Sequence, residues 1–101
     1  MCGIAGIIYK TEQEPDFGDF KRSAELMSHR GPDHFGEHYF GNTAIFHYRL
    51  SILDLDPRSN QPFYSGDKKK VMVYNGEVYN YKDLAARHNI LQETSSDTEV
   101  L

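Results

Sequence analysis

The second residue of the chain could supply both a nucleophile and a base. The sequence begins Met1-Cys2-Gly3-Ile4, and Cys2 is its only cysteine. Removal of the initiator methionine would leave a thiol and a free α-amine on one residue, and these two groups lose their protons over similar pH ranges. An amine that takes the proton of its own side-chain nucleophile is an established means of activation. The start of the chain therefore predicts an acyl-transfer thiol, although a lone cysteine is often only a small buried hydrophobe.

Residues further along the chain could bind a free amino acid beside this thiol. Arg49 offers a planar fork for a carboxylate, and Glu77 and Asp97 offer two carboxylates for an ammonium group. Asn75-Gly76 combines a side-chain amide with a glycine N–H, and an oxyanion hole requires donors of this kind. Together these residues predict acyl transfer on an amino-acid substrate.

Each of these residues also has an ordinary structural explanation. An exposed arginine is common at the end of a strand, and Asn-Gly is the strongest signal for a two-residue hairpin. Asp97 could simply stabilise the first turn of a helix. The hairpin is disfavoured because only Val78-Tyr79 would be left as a return strand before Asn80 begins a helix. A loop that leaves a strand with its N–H groups exposed fits residues 75–77 better.

Hydrophobic periodicity predicts the elements that position these residues. A short buried strand is expected at 2–9, where small residues would let another layer approach closely. A helix is expected over 16–30, because apolar residues recur on one face and Gly31-Pro32 follows as a stop signal. The other predicted elements are strands at 36–40, 43–50, 52–55 and 71–74, a loop at 56–62, a helix at 81–88 capped by Asn80, and a capping box at 96–99.

The strand predicted at 43–50 carries bulky residues on both of its faces. Such a strand is typical of a sheet that is covered on both sides. Alternation places Ala44, Phe46, Tyr48 and Leu50 on one face, and Ile45, His47 and Arg49 on the other.

Composition excludes several classes of protein. A chain of 101 residues forms at most one small domain, and its net charge of -4 lacks the basic footprint of a nucleic-acid binder. One cysteine cannot form an intramolecular disulfide. No basic segment precedes the apolar run at 4–8, as a signal peptide would require, and no stretch approaches membrane-spanning length. A soluble cytoplasmic protein is expected.

Six motifs extend from the first residue to the last. They are MCGIAG at 1–6, HRGPD at 29–33, RLSILDL at 49–55, QPF at 61–63, YNGEVYNY at 74–81 and SDTEV at 96–100. In this order and spacing they resemble the glutaminase domain of glutamine-hydrolysing asparagine synthetases. These are class II glutamine amidotransferases with an N-terminal-nucleophile hydrolase fold. RLSI also separates the match from the sugar-phosphate and purine-pathway amidotransferases.

The resemblance implies a fold and a role for each candidate residue. The fold would be α+β, a four-layer α/β/β/α sandwich of two mostly antiparallel sheets, incomplete in this chain. Cys2 would attack the side-chain amide of glutamine with its own α-amine as base and form a γ-glutamyl thioester. Segment 29–33 would be scaffolding beside it. The remaining roles would be oxyanion donors at Asn75 and Gly76, a carboxylate ligand at Arg49, ammonium ligands at Glu77 and Asp97, and a pocket lining at Leu50, Ser51, Ile52 and Leu53.

The resemblance also implies a larger enzyme. Residues 2–101 would be the front portion of the glutaminase domain, without the ATP-dependent synthetase domain that amidates aspartate with the released ammonia. The expected partners are L-glutamine and a synthetase domain, in the same longer chain or separate, with no nucleic acid and no membrane. Homo-oligomerisation is left open. No cofactor is expected in this portion, whereas ATP and Mg²⁺ are expected in the synthetase domain.

Three alternatives to this prediction are left open by the residues themselves. The chain could be an N-terminal-nucleophile amidase for another amide, which the pattern of Arg49, Glu77 and Asp97 disfavours. It could be a truncated, non-catalytic fragment that binds a partner or self-associates. His34 and His38 have a spacing that suits metal ligands on a helix, but the glycines and proline around them indicate a loop or strand, so no metal site is predicted.

Overall fold

Two antiparallel sheets and two α-helices make up the described part of the fold. The computed structural model describes residues 1–10, 16–52 and 55–101. The elements are β1 (Gly3–Ile8), α1 (Gly18–Ala24), β2 (His34–Phe40), β3 (Thr43–Arg49), β4 (Phe63–Tyr64), β5 (Val71–Met72) and α2 (Tyr81–His88), with 3₁₀ turns at Glu25–Arg30, Pro57–Ser59 and Asp97–Val100. The larger sheet has the order β1–β3–β2, and the smaller pairs β4 with β5. The α+β prediction with two antiparallel sheets is confirmed.

The core lies between β3 and the helical segment that follows β1. Phe46, in the centre of β3, is fully buried, and its ring lies 5.3 Å from that of Phe20 and 5.6 Å from that of Phe35. Burial of one such side chain contributes roughly 2–3 kcal/mol. The opposite face of β3 is also covered, since His47 is fully buried and Arg49 is 7% exposed. The prediction of a strand covered on both faces is therefore confirmed.

The helix predicted over 16–30 is present but changes its type. It is an α-helix over Gly18–Ala24 and continues as a 3₁₀ helix over Glu25–Arg30. Gly31 ends it with a φ of -145°, which is not the left-handed conformation that usually favours glycine at this place. A β-carbon on Gly31 would lie 2.1 Å from the carbonyl oxygen of Tyr48. Glycine is needed there because the chain passes directly against β3.

The first strand is less buried than the sequence predicted. Ile4 is 44% exposed and Ile8 is 69% exposed, although residues on the other face of β1 pack against the core. The prediction of a buried strand is therefore wrong for one face of β1, which lies at the edge of its sheet, because β4 approaches β2 instead. The Tyr64 and His38 rings make that contact, with centroids 5.2 Å apart.

The second sheet is shorter than predicted. A strand was expected over 71–74, but β5 ends at Met72 and pairs with β4, which the sequence did not predict. The backbone N–H and carbonyl of Tyr74 are bonded to the side chain of Gln61, so Tyr74 has no partner strand to pair with in the described structure. The strand predicted at 52–55 includes residues 53 and 54, which lie outside the described residues.

The last two helical segments begin and end near the predicted positions. Asn80 is the N-cap of α2, but its side chain makes no capping hydrogen bond. Asn89 ends the helix in the left-handed conformation, with a φ of 52°, as is common for asparagine. Among the described residues, no helix has the length and apolar character needed to cross a membrane.

Only half of the predicted capping box is formed. The Ser96 hydroxyl accepts a hydrogen bond from the backbone N–H of Thr98 at 3.3 Å. The Glu99 carboxylate does not complete the box and instead accepts hydrogen bonds from the N–H groups of Glu93 and Thr94, at 2.7 and 2.9 Å. The 3₁₀ turn is thus held to the segment that precedes it.

Candidate active site

A pocket of about 380 Å³ opens where β1 begins and β3 ends. This volume is in the range of about 300–1,000 Å³ that is usual for small-molecule sites. The predicted site residues Cys2, Arg49, Leu50, Ile52, Asn75, Gly76, Glu77 and Asp97 all line it. Ser51 does not line it, and Leu53 lies outside the described residues. Residues from four separate parts of the sequence are therefore brought to one cavity.

Cys2 is held at the pocket wall by the start of the loop after β3. The backbone N–H of Leu50 donates to the Cys2 sulfur at 3.3 Å, and the same sulfur lies 3.7 Å from the Leu50 carbonyl oxygen. The Arg30 side chain donates to the Cys2 carbonyl at 3.3 Å. Met1 is 73% exposed and also lines the pocket.

Arg49 is not the exposed strand-end arginine of the ordinary explanation. It is the last residue of β3 and is 7% exposed. Its guanidinium donates to the side-chain oxygen of Asn60 at 2.6 Å and to the Asp56 carbonyl at 3.3 Å. These contacts with the loop before β4 orient a buried cation along the pocket wall, where it can reach an anionic group of a ligand.

Asn75-Gly76 forms no hairpin. The two residues follow β5 as irregular backbone, with Asn75 half-buried and Gly76 exposed. The chain then proceeds to α2 without a return strand, as the loop interpretation predicted. A β-carbon on Gly76 would lie 2.5 Å from the Tyr74 hydroxyl oxygen. A side-chain amide and a glycine backbone N–H are both present among the residues that line the pocket.

The two pocket carboxylates have different surroundings. Glu77 is exposed, whereas Asp97 is 7% exposed. One Asp97 oxygen accepts a hydrogen bond from the backbone N–H of Val78 at 2.6 Å. Asp97 therefore ties the 3₁₀ turn at Asp97–Val100 to the loop after Gly76, and it still faces the pocket.

Asp33 connects the HRGPD motif to the end of β3. Its backbone N–H donates to the Arg49 carbonyl at 3.0 Å, and its carboxylate accepts from the Ser51 N–H at 2.7 Å. Ser51 thus makes a hydrogen bond to Asp33 and does not line the pocket. The contacts agree with the interpretation of segment 29–33 as scaffolding.

The two histidines considered as metal ligands lie on one face of β2. His38 contacts the Tyr64 hydroxyl through Nδ1 at 3.0 Å, whereas Nδ1 of His34 is buried without a hydrogen-bond partner. Burial, together with the nearby charge of Arg49, lowers the pKa of His34. Within residues 1–10, 16–52 and 55–101, no group of three metal-ligating side chains is found.

Comparison with known proteins identifies the chain. A profile of the glutamine amidotransferase domain matches residues 1–101. The chain belongs to this family. The predicted resemblance is thereby confirmed.

Several relatives are named as glutamine-hydrolysing asparagine synthetases, and the chain aligns with their N-terminal parts. Asparagine synthetase 2 of Bacillus subtilis is 44% identical over 105 residues, and an asparagine synthetase of Zea mays is 38% identical over 106 residues. Asparagine synthetase B of Escherichia coli is 36% identical over 107 residues. Each alignment covers the whole of this chain but only 14%, 17% and 19%, respectively, of the relative's length.

This amidotransferase domain has pocket residues whose contacts sequence reasoning did not predict. Gln61 and His47 line the pocket, and both bond to the backbone of Tyr74. Gln61 belongs to the QPF motif, which contributed to the resemblance but predicted no contact or role for this residue. Alternation placed His47 on the second face of β3; its side chain is fully buried there, and burial lowers its pKa to about 4. Long-range contacts of this kind leave no periodic signal in the sequence.

Proposed function

We propose that Cys2 is the nucleophile of a glutaminase that releases ammonia from the side-chain amide of glutamine. The observation that carries the proposal is the convergence on one pocket of Cys2, Arg49, Asn75-Gly76 and the two carboxylates. Names of the relatives, which include glutamine hydrolysis, agree with it. Met1 must be removed first, because its peptide bond occupies the α-amine that is needed as base.

Each part of the pocket matches one group of glutamine. Arg49 binds the α-carboxylate, since a guanidinium pairs with a carboxylate in a bidentate manner. Glu77 and Asp97 bind the α-ammonium, and Leu50 and Ile52 line the space for the side chain. This arrangement places the γ-amide toward Cys2 and favours glutamine over amides that lack the two charged groups.

Thioester formation needs only groups of this chain once Met1 is absent. The α-amine of Cys2 takes the thiol proton, and the sulfur attacks the amide carbon of glutamine to form a carbon–sulfur bond. Asn75 and Gly76 donate hydrogen bonds to the oxyanion, as preorganised donors stabilise such intermediates. The protonated amine then gives its proton to the leaving nitrogen, and the carbon–nitrogen bond breaks to release ammonia.

Water completes the reaction. The α-amine takes a proton from water, which attacks the γ-glutamyl thioester at the same carbon. The oxyanion again forms beside Asn75 and Gly76. Cleavage of the carbon–sulfur bond releases glutamate, and the protonated α-amine gives its proton to the sulfur, which restores the thiol of Cys2.

The use of the ammonia is a further part of the proposal. Residues 2–101 form the front portion of the glutaminase domain, and a synthetase domain uses ATP and Mg²⁺ to amidate aspartate with the ammonia. This step rests on the names of relatives that are several times longer than the chain. The residues of the pocket described above provide no argument for the ATP-dependent step.

Replacement of Cys2 in the complete protein tests the nucleophile. We expect Cys2→Ala to abolish glutamate and ammonia release from glutamine, measured by a coupled dehydrogenase assay with the N-terminus of each preparation determined by mass spectrometry. Wild-type preparations with and without Met1 provide the matched control, since only the processed form should hydrolyse glutamine. Glutamine hydrolysis by Cys2→Ala at the wild-type rate would contradict the proposal.

A further inference from the structure

The backbone of Tyr74 is held by a side chain that replaces a neighbouring strand. Its N–H donates to the side-chain oxygen of Gln61 at 2.6 Å, and its carbonyl accepts from the Gln61 amide nitrogen at 3.1 Å. A neighbouring strand would pair with a residue through the same two backbone groups. Since β5 ends at Met72, Gln61 fixes the chain beyond the end of the strand.

His47 provides a second contact with the same carbonyl. Its Nε2 lies 3.3 Å from the Tyr74 oxygen, and its ring is fully buried in the centre of the larger sheet. A neutral ring can donate through Nε2 in this position, and burial lowers the pKa of His47 to about 4. The Tyr74 carbonyl therefore faces donors from two separate elements.

Both donors are fixed by the larger sheet. His47 belongs to β3 and lies opposite Gly36 of β2. Gln61 is 7% exposed, and its backbone rests on β2 so closely that a β-carbon on Gly36 would lie 1.7 Å from the Gln61 carbonyl oxygen. The position of Tyr74 is thus set by the same sheet that carries Cys2 at the start of β1.

We propose that Gln61 and His47 are positioning residues that set the oxyanion donors Asn75 and Gly76 relative to Cys2. This inference rests on the proposed glutaminase function. Asn75 directly follows the residue that they hold, and catalytic donors must be placed within about 0.5 Å of the productive geometry. A shift of Tyr74 moves the donors, together with the exposed Glu77 that follows them, but leaves the nucleophile, Arg49 and the buried Asp97 in place.

The variants Gln61→Glu and Gln61→Met test this inference in the complete protein. Glu keeps the acceptor for the Tyr74 N–H but removes the donor, and Met keeps the length without either group. We expect kcat for glutamine hydrolysis to fall at least about 10-fold, with KM changed less than about 3-fold, because transition-state contacts are lost and ground-state contacts remain. His47→Gln retains a side-chain N–H donor and should lose less than His47→Phe.

A double-mutant cycle separates positioning from a loss of stability. In an Asn75→Ala background, which itself should lower kcat about 100- to 1000-fold, the further effect of Gln61→Met on kcat should be smaller than in the wild-type background, since Gly76 is then the only one of the two donors left to displace. Phe20→Leu is the matched control. It weakens the core on the opposite face of the sheet, and its effect on kcat should be the same in the wild-type and Asn75→Ala proteins.

The outcomes distinguish the two proposals. If Gln61→Met lowers kcat equally with and without Asn75→Ala, or no more than Phe20→Leu does, the positioning inference is wrong while the glutaminase function stands. If the wild-type protein with a processed N-terminus does not hydrolyse glutamine, the proposed function fails, and the positioning inference fails with it.

Discussion

Substitution of Gly36 by alanine should destabilise the protein at the contact between the larger sheet and the loop before β4. The new β-carbon would lie 1.7 Å from the Gln61 carbonyl oxygen and 2.9 Å from Pro62 Cδ. To reach even the tight separation of 3.0 Å, the backbone of Gln61 must retreat by at least about 1.3 Å. Both partners are main-chain segments or a proline ring, so no flexible side chain can relieve the contact.

The magnitude follows from two opposing terms. Overpacking of a well-packed site costs about 1–3 kcal/mol. Alanine at a position with an ordinary φ also gains about 0.4–1 kcal/mol by restricting the unfolded chain. Because the obstruction is backbone, the first term should lie at its upper end, and we expect a net loss of about 2 kcal/mol in the free energy of unfolding.

Gly6→Ala provides the matched control. Gly6 lies in β1 of the same sheet, and its added β-carbon would approach the nearest atoms only to 3.6 Å, an ordinary contact. This variant should be neutral or stabilised by up to about 1 kcal/mol. Urea unfolding of the complete protein, followed by circular dichroism, measures both variants. If Gly36→Ala is as stable as Gly6→Ala, the close packing of β2 against Gln61 is wrong.

Two further predictions concern titration and charge. The pKa of His47 is lowered from its ordinary 6.5 to about 4, so between these values the unfolded state binds the proton and the folded state does not. The protein therefore has the full stability that comes with a neutral His47 above pH 6.5. As the pH falls toward 4, protonation of the unfolded state lowers the free energy of unfolding by at most about 3 kcal/mol. His47→Gln should flatten this part of the curve of unfolding free energy against pH, leaving a smaller slope from His34, whose pKa is also lowered; an unchanged slope would contradict the burial of a neutral His47. Asp97→Asn removes the charge but retains an oxygen for the Val78 N–H, and we expect KM for glutamine to rise about 10-fold or more, as for a lost charge-assisted hydrogen bond. An unchanged KM in steady-state assays would exclude Asp97 as the ligand of the ammonium.

The sequence predicted the parts of the fold that depend on local signals. Alternation along β3 correctly indicated two covered faces, and the helix predicted at 81–88 is found with these bounds as α2. The pocket was predicted through motifs whose members are far apart in the sequence, since residues from Cys2 to Asp97 meet there. Their individual roles stay predictions.

Features that depend on contacts between distant segments were not predictable from periodicity. The Val71–Tyr74 run has the composition of a strand, but β5 ends at Met72. The Gln61 side chain takes up the backbone N–H and carbonyl of Tyr74, which a neighbouring strand would otherwise bond. Apolar alternation in β1 did not reveal which layer would cover it, and Ile8 remains exposed. Gly31 was recognised as a stop signal, whereas its close approach to Tyr48 became evident only from the packing.

The central claim, that Cys2 is the nucleophile toward glutamine, is tested most directly by covalent labelling. A glutamine analogue with a diazoketone in place of the side-chain amide should bind through the same carboxylate and ammonium contacts and alkylate the attacking sulfur. After incubation of the processed complete protein, peptide mass spectrometry should place the label on Cys2, glutamine should protect against labelling, and loss of hydrolysis should parallel it. Inactivation with the label on another residue, or with Cys2 unmodified, would contradict the account.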